Sequence, residues 1–294
     1  MLIGLWTAAS LLSAAPALAE PQQCLGRGDS RWLVDQTLNV LVNPTAFENQ
    51  LRVNACLPLT KRPGILFDYA QFETGFFNYI SPVYVHVGTY ASITPLSFLQ
   101  FRADVAGLVI WPLPLDAAGY FGMDGYEHEV PDAMLPAANA RSAMGANVTL
   151  SVNLQGAVPL TSWLELQVSN SFAGDYFYVG DKPYYFNQRR DIVLRQSDWL
   201  IKNTAFLMAE IRASPAVAVR LGAVDDLTFV PGSGELENQL FAFASVPIRR
   251  DADLRDIEPF VRAGAYTSHG WRKGFTMIAG ISLAWALPME KKPR

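Results

Sequence analysis

The chain has 294 residues, a formal net charge of −4, 50% hydrophobic and 17% charged residues. The charged share lies below the roughly 25% usual in soluble domains, and the near-balance of signs offers no basic surface for nucleic acid. Beyond the N-terminus no apolar run reaches the ~18 residues of a spanning helix, so the apolar residues are spread singly along the chain.

Residues 1–19 read as a signal peptide. Leu2 to Leu18 is apolar and small, and Ala17-Leu18-Ala19 before Glu20 fits a small-residue cleavage site, although no Lys or Arg precedes the apolar stretch. Export places Cys24 and Cys56 in an oxidising compartment, where a bridge between them is allowed. Pro21-Gln22-Gln23 before Cys24 does not fit a lipidation signal. The expected organisation is a signal peptide (1–19), an N-terminal segment (20–32), a strand domain (33–287) and a tail (288–294).

Alternation of apolar and polar residues then marks candidate strands in order. These are Gln36–Asn43, Asn49–Leu57, Tyr69–Tyr79, Val83–Ile93, Phe98–Trp111, Asn147–Val158, Trp163–Gly174, Trp199–Ala213, Ala216–Phe229, Glu237–Ile248, Pro259–Ser268 and Phe275–Leu287. The sixth is the clearest. Val148, Leu150, Val152 and Leu154 alternate with Asn147, Thr149, Ser151, Asn153 and Gln155. Successive side chains of a strand point to opposite faces, so this strand has one apolar and one polar face. The ninth slips at Asp225-Asp226, where a bulge or strand end is expected. Most runs are about 9–14 residues, the length that crosses a bilayer at a tilt; strands of soluble proteins are nearer 5–6. The polar faces hold Ser, Thr, Asn, Gln and Gly rather than the Lys and Glu of a solvated sheet.

Turn signals separate the runs, among them Arg62-Pro63-Gly64, Ser81-Pro82 and Pro231-Gly232-Ser233-Gly234. The two longest connections, Pro112–Gly145 and Asp175–Asp198, follow the fifth and seventh strands and so leave from the same end. Several connections at the other end are short: Thr94–Ser97, Pro159–Ser162 and Ser214-Pro215. An even strand count returns both termini to that short-turn end.

In these features the chain resembles bacterial outer-membrane β-barrel proteins. The resemblance covers residues 33–287 and lies in architecture rather than in a motif. It implies an all-β fold: one transmembrane antiparallel up-and-down β-barrel of about 12 strands, in the outer membrane of a Gram-negative bacterium. The implied partners are outer-membrane lipids, lipopolysaccharide and the barrel-assembly machinery. The last strand holds Trp285 but runs on into Pro288–Arg294, unlike the terminal aromatic residue common in such proteins. Cys24 and Cys56 both fall at the short-turn end, so a disulfide would pin the N-terminal segment at the barrel mouth.

If the apolar faces meet lipid, the other faces line a lumen. By parity its charged residues are Arg52, Glu73, Arg102, Asp104, Glu165, Lys202, Glu210, Arg212, Arg220, Asp226, Glu237 and Arg262, with His86 among them. Acids and bases are nearly equal, which favours internal pairing, since charges in a narrow space need partners. Two readings stay open. One is a narrow pore or small-solute transporter walled by Arg52, Arg102, Arg212, Arg220 and Arg262. The other is a non-conducting barrel held by a salt-bridge network and acting through its long loops.

An outer-membrane lipid hydrolase is a third reading. It would need a His beside a nucleophile at lipid height. Of His86, His128 and His269, only His269, next to Ser268 at the rim, fits. The expected protein is not an enzyme, and no cofactor or metal motif appears. The first long connection carries Asp116, Asp124, Glu127, His128, Glu129 and Asp132 against Arg141, without the spacing of a calcium loop. Around the second stand Tyr176, Phe177, Tyr178, Tyr184, Tyr185 and Phe186, expected as an interfacial girdle. Arg189-Arg190 follow, as possible ligands for lipopolysaccharide phosphates. Arg27-Gly28-Asp29 spells an adhesion tripeptide on the side away from any host and reads as chance. No residue names a solute.

Overall fold

A strand with two unlike faces has one comfortable arrangement in a bilayer. Its apolar side chains meet lipid, its polar ones turn inward, and its backbone groups pair with neighbours around a closed ring. The computed structural model describes residues 30–60, 64, 66–126, 130, 134–249 and 254–289. In it β1 (Arg31–Val42), β2 (Ala46–Pro58), β3 (Gln71–Ile80), β4 (Tyr84–Leu96) and β5 (Leu99–Ile110) pair in sequence, each antiparallel to the last. A long connection containing β6 (Gly122–Met123) leads to β7 (Ala143–Pro159) and β8 (Leu164–Val179). A second long connection carries β9 (Tyr184–Asn187) and β10 (Ile192–Arg195). The wall resumes with β11 (Ser197–Arg212), β12 (Ala218–Val230) and β13 (Glu235–Ser245), then the short β14 (Ile248–Arg249), β15 (Leu254–Ser268) and β16 (Phe275–Pro288).

The ring closes where β1 pairs β16, from Arg31↔Pro288 to Val42↔Met277, and where β13 pairs β15. The result is a closed antiparallel barrel of 12 strands with no free sheet edge. All twelve strands expected from alternation are present. Several are longer than expected: β7 and β8 reach 17 and 16 residues, and β1 begins at Arg31, so the last residues of the 20–32 segment belong to the wall. Pro288 likewise extends β16.

One expectation fails. Through Asp225 and Asp226 the register of β12 is unbroken on both sides, with Thr204↔Asp226 and Asp226↔Gln239, so there is no bulge there. The apparent slip has two sources: Val224 turns inward and is buried with Phe206 and Phe241, and Asp225 stands on the outward parity, where its Oδ1 accepts from Asn238 Nδ2 at 3.3 Å. The registers that do shift lie elsewhere, at Asn238/Gln239 and at Leu254/Asp256.

The outer surface is the lipid face. Phe76, Val105, Leu150, Leu207 and Leu240, from five different strands, are each at least half exposed. A continuous apolar surface of this extent has no stable place in water. Trp32, Phe98 and Trp163 stand outward near the short-turn end, and Tyr178, Trp199 and Phe275 near the other, forming an aromatic girdle at each interface. Among the described residues no helix is long and apolar enough to cross a membrane.

Both long connections leave from one end, as expected, and there they join. β6 pairs β9 through Gly122↔Tyr185, and β9 pairs β10, making a small sheet of three strands over the barrel mouth. Gly180 starts the second connection with φ +70 and lies against the Tyr120 ring, so a side chain there would be strained twice over. At the opposite end Cys56 is buried and disulfide-bonded. Its expected partner Cys24, the signal peptide, Arg27-Gly28-Asp29, Glu127, His128, Glu129, Asp132 and the tail from 290 onward lie outside the described residues.

Candidate functional site in the barrel lumen

The lumen is built from alternate residues of the wall strands, and it falls into two halves. In the β1–β8 half the inward residues enclose a cavity of about 160 Å³. Arg52, Glu73, His86, Arg102 and Asp104 all line it, as parity predicts, together with Asp35, Lys202 and a polar floor of Asn153 and Gln155. Arg102 donates from Nε to Asp104 Oδ1 at 3.0 Å and lies 3.8 Å over the Tyr90 ring. Arg52 Nη2 donates to the Tyr79 hydroxyl at 3.2 Å.

At the same depth the β11–β16 half is filled. Phe206, Met208, Phe241, Phe243 and Phe260 point inward and pack as one buried cluster. Arg262 is fully buried among them, with its guanidinium 4.9 Å from the Phe206 ring centre and 5.8 Å from that of Phe243. Among the described residues none of its nitrogens has a hydrogen-bond partner. Toward the short-turn end a chain of ion pairs crosses four strands. Arg212 reaches Glu165 at 3.0 Å and Glu210 at 3.1 Å, Glu210 meets Arg220 at 3.0 Å, and Arg220 meets Glu258 at 2.9 Å. Lys202, Asp226, Glu237 and Arg262 are buried along their strands as well. Glu165, Glu210, Arg212 and Arg220 belong to this chain, and Arg262 stands apart from them.

What divides the lumen lengthwise was not expected. The turn between β9 and β10 dips into the barrel and inserts Arg189 and Arg190. Arg189 Nε pairs with Glu48 at 2.9 Å, its Nη1 lies 3.4 Å from His86 Nδ1, and its guanidinium stacks 4.1 Å from the Tyr79 ring centre. The Tyr84 hydroxyl donates to the same Glu48 carboxylate, which also accepts from Gln50 at 2.6 Å. Arg190 Nη2 pairs with Asp175 at 3.2 Å, and Lys202 Nζ shares that carboxylate. Burial opposes the charge on Arg189, yet the adjacent Glu48 outweighs it and holds the guanidinium protonated above its ordinary range. The two arginines are thus buried and ion-paired inside the barrel rather than exposed at its rim.

The aromatic expectation divides in the same way. Tyr176 and Tyr178 lie on the outer face, Tyr176 with its ring 5.4 Å from Trp199, as girdle residues should. Phe177, Tyr185 and Phe186 are instead buried in the apolar packing that anchors the inserted hairpin. A second connection holds the hairpin from above. Arg272, between β15 and β16, pairs with Asp191 through Nη2 and Oδ1 at 2.9 Å, and His269 Nε2 meets the Asp191 carbonyl at 3.1 Å. His269 Nδ1 accepts from the backbone N–H of Trp271 and Arg272, while Ser268 Oγ donates to the Leu236 carbonyl. Ser268 and His269 are engaged with different partners and form no dyad. Asp124 pairs with Lys182 at 2.8 Å, Asp116 accepts from the Ala137 N–H, and no metal-holding group occurs among the described residues.

Above Arg189 and Arg190 lies a second cavity, of about 400 Å³, open toward the loop end. Both arginines line both cavities. The residues that alternation missed here are of two kinds. Asp35, Glu48, Asp175 and Glu258 each lie two positions beyond an inward residue, so continuing the same parity would have found them. Arg189, Arg190 and Asp191 sit in a loop without periodicity, and no local signal marks them.

This fold and lining define a transmembrane β-barrel of the outer-membrane type. No protein-family model matches the chain, and no curated protein matches it. Among solved structures it is similar to the translocator domain of the autotransporter NalP from Neisseria meningitidis, at 8% identity over 94% of this chain and 93% of that one, with a TM-score of 0.46. It is similar to the Pseudomonas putida toluene transporter TodX at 10% identity over 96% and 94%, with a TM-score of 0.37. It is also similar to the KdgM porin at 8% identity over 85% and 98%, with a TM-score of 0.35. These likenesses concern barrel architecture and carry no activity across.

Proposed function

We propose that the protein is a non-enzymatic outer-membrane barrel that passes small solutes through a narrow lumen closed at rest by the Arg189–Arg190 hairpin. The observation that carries this is the shared wall: one cavity above and one below, with Arg189 and Arg190 lining both. Two cavities separated by one loop become one passage when the loop withdraws. The lower cavity runs along the β1–β8 half to the short-turn end through polar side chains such as Asn153 and Gln155. A structural barrel would gain nothing from keeping that corridor unfilled while the other half is packed. The ion pairs of the hairpin to Glu48, Asp175 and Arg272 hold the closed state without a covalent tie, as a reversible plug requires.

Planar-bilayer recording tests this. Wild-type protein should show small and infrequent openings, and Arg189→Ala/Arg190→Ala should raise the open fraction and the conductance several-fold. Absence of conductance above background from the variant would overturn the pore and favour the non-conducting barrel. Placement in the membrane is checked first: the chain should resist carbonate extraction and show heat-modifiable gel mobility.

A further inference from the structure

The upper cavity has a chemistry of its own. One side is apolar, with Leu41, Phe47, Val83, Leu113 and Ile278 on its wall. The other is a polar patch on β12 and β13 comprising Asp226, Thr228, Glu237 and Gln239. Opposed pairs in that patch are Asp226↔Gln239 and Thr228↔Glu237, which puts the two carboxylates on a diagonal, roughly 7–8 Å apart at the backbone. A single ammonium between them reaches both.

The charges on this cavity wall do not cancel. Each of its three arginines is already committed: Arg189 to Glu48, Arg190 to Asp175 and Arg272 to Asp191. Among the described residues neither Asp226 nor Glu237 has an ion-pair partner. Asp226 is only 5% exposed, and its Oδ2 has no hydrogen-bond partner at all. A buried polar atom left in that condition costs stability unless something else satisfies it. Glu237 accepts one hydrogen bond, from Gln239 Nε2 at 2.5 Å. Arg262, the base that attracts Asp226 most strongly, is not on the cavity wall; its guanidinium lies over Phe206 and Phe243 and makes no salt bridge to that carboxylate. A metal ion is a poor occupant, because no set of three or more acidic, His or Cys ligands converges among the described residues.

We propose that this vestibule binds organic cations that carry an apolar body, with the ammonium held between Asp226 and Glu237. The apolar body lies along Leu41, Val83 and Ile278, and a cavity of about 400 Å³ is within the size range of small-ligand sites. A neutral analogue forfeits the charge term, and a carboxylate analogue meets two like charges. The site goes beyond the pore reading and does not depend on passage through the Arg189–Arg190 constriction.

The test is calorimetric titration of the purified full-length barrel in detergent with 2-phenylethylammonium, 2-phenylethanol and 3-phenylpropionate. The ammonium should bind at least about tenfold more tightly than either analogue, equivalent to about 1.4 kcal/mol. Asp226→Asn/Glu237→Gln should reduce its affinity by about the same factor, and Ile278→Trp, which fills the apolar side, should abolish binding with both acids intact. If the double variant fails to show heat-modifiable mobility, Glu237→Gln alone carries the charge test beside Ile278→Trp. Equal affinity for all three probes, or unchanged affinity in the charge and filling variants, overturns the proposal. A non-conducting barrel that still selects the ammonium refutes the pore and leaves this site. A conducting barrel indifferent to the probe does the reverse.

Discussion

Below the Arg189–Arg190 turn, the β1–β8 half of the lumen and the β11–β16 half are lined by the same alternation, yet one encloses a cavity and the other is packed. The difference lies in what the inward positions carry. Around the lower cavity, β5 and β7 contribute Gln100, Arg102, Asn147, Ser151 and Asn153, polar side chains that leave space between them. In β11 and β13 the inward positions include Phe206, Met208, Phe241 and Phe243, which fill it. Period two tells a strand which face is inside; side-chain volume and polarity tell each half of the barrel whether inside is wet. Packing on one side braces the ring, and the other side keeps a polar cavity.

That comparison can be broken by four substitutions measured as urea-unfolding midpoints in one membrane mimetic. The largest loss should come from Glu210→Leu, which strips one carboxylate from both Arg212 and Arg220 in the packed half; breaking such a buried pair costs about 3–5 kcal/mol. Phe241→Ala, 1% exposed in the centre of the aromatic cluster, should cost about 3 kcal/mol. Leu150→Arg, on the lipid face of β7, should cost about 2 kcal/mol by placing a charge in hydrocarbon. Asn153→Ala, in the open half, should cost less than about 0.5 kcal/mol, since its one side-chain donor bond, to Gln100, is replaced by water. An Asn153→Ala penalty equal to that of Phe241→Ala would show that the two halves brace the barrel alike, and the contrast would fail.

The barrel was largely legible beforehand because its signal is additive. Twelve amphipathic strands repeat one message, and an error of a few residues in any boundary leaves the message intact. The wall side of the candidate site was legible for the same reason: Arg52, Glu73, His86, Arg102 and Asp104 were placed inward by counting in twos, and all five line one cavity. Asp175 and Glu48 escape only because one expected strand ends a residue too early, at Gly174, and the other begins a residue too late, at Asn49. The hairpin is different in kind. Arg189 and Arg190 meet Glu48 and Asp175 across about 141 and 15 residues of chain respectively, a match set by how the loop folds back and not by spacing along it. Tyr185 and Phe186 read as girdle residues because an aromatic loop looks the same in sequence whether it faces the membrane or caps a lumen.

By itself the sequence determined the strand number, the direction of each face and the end from which the long loops leave. Those follow from the pleat and from the bilayer, which act on every strand locally. Only the tertiary structure decided that half of the lumen is filled, that Glu165 to Glu258 form one ionic chain, and that a loop divides the remaining space. These depend on which strands stand opposite one another after the ring closes, and strand register and loop return are properties of the closed barrel rather than of any segment within it.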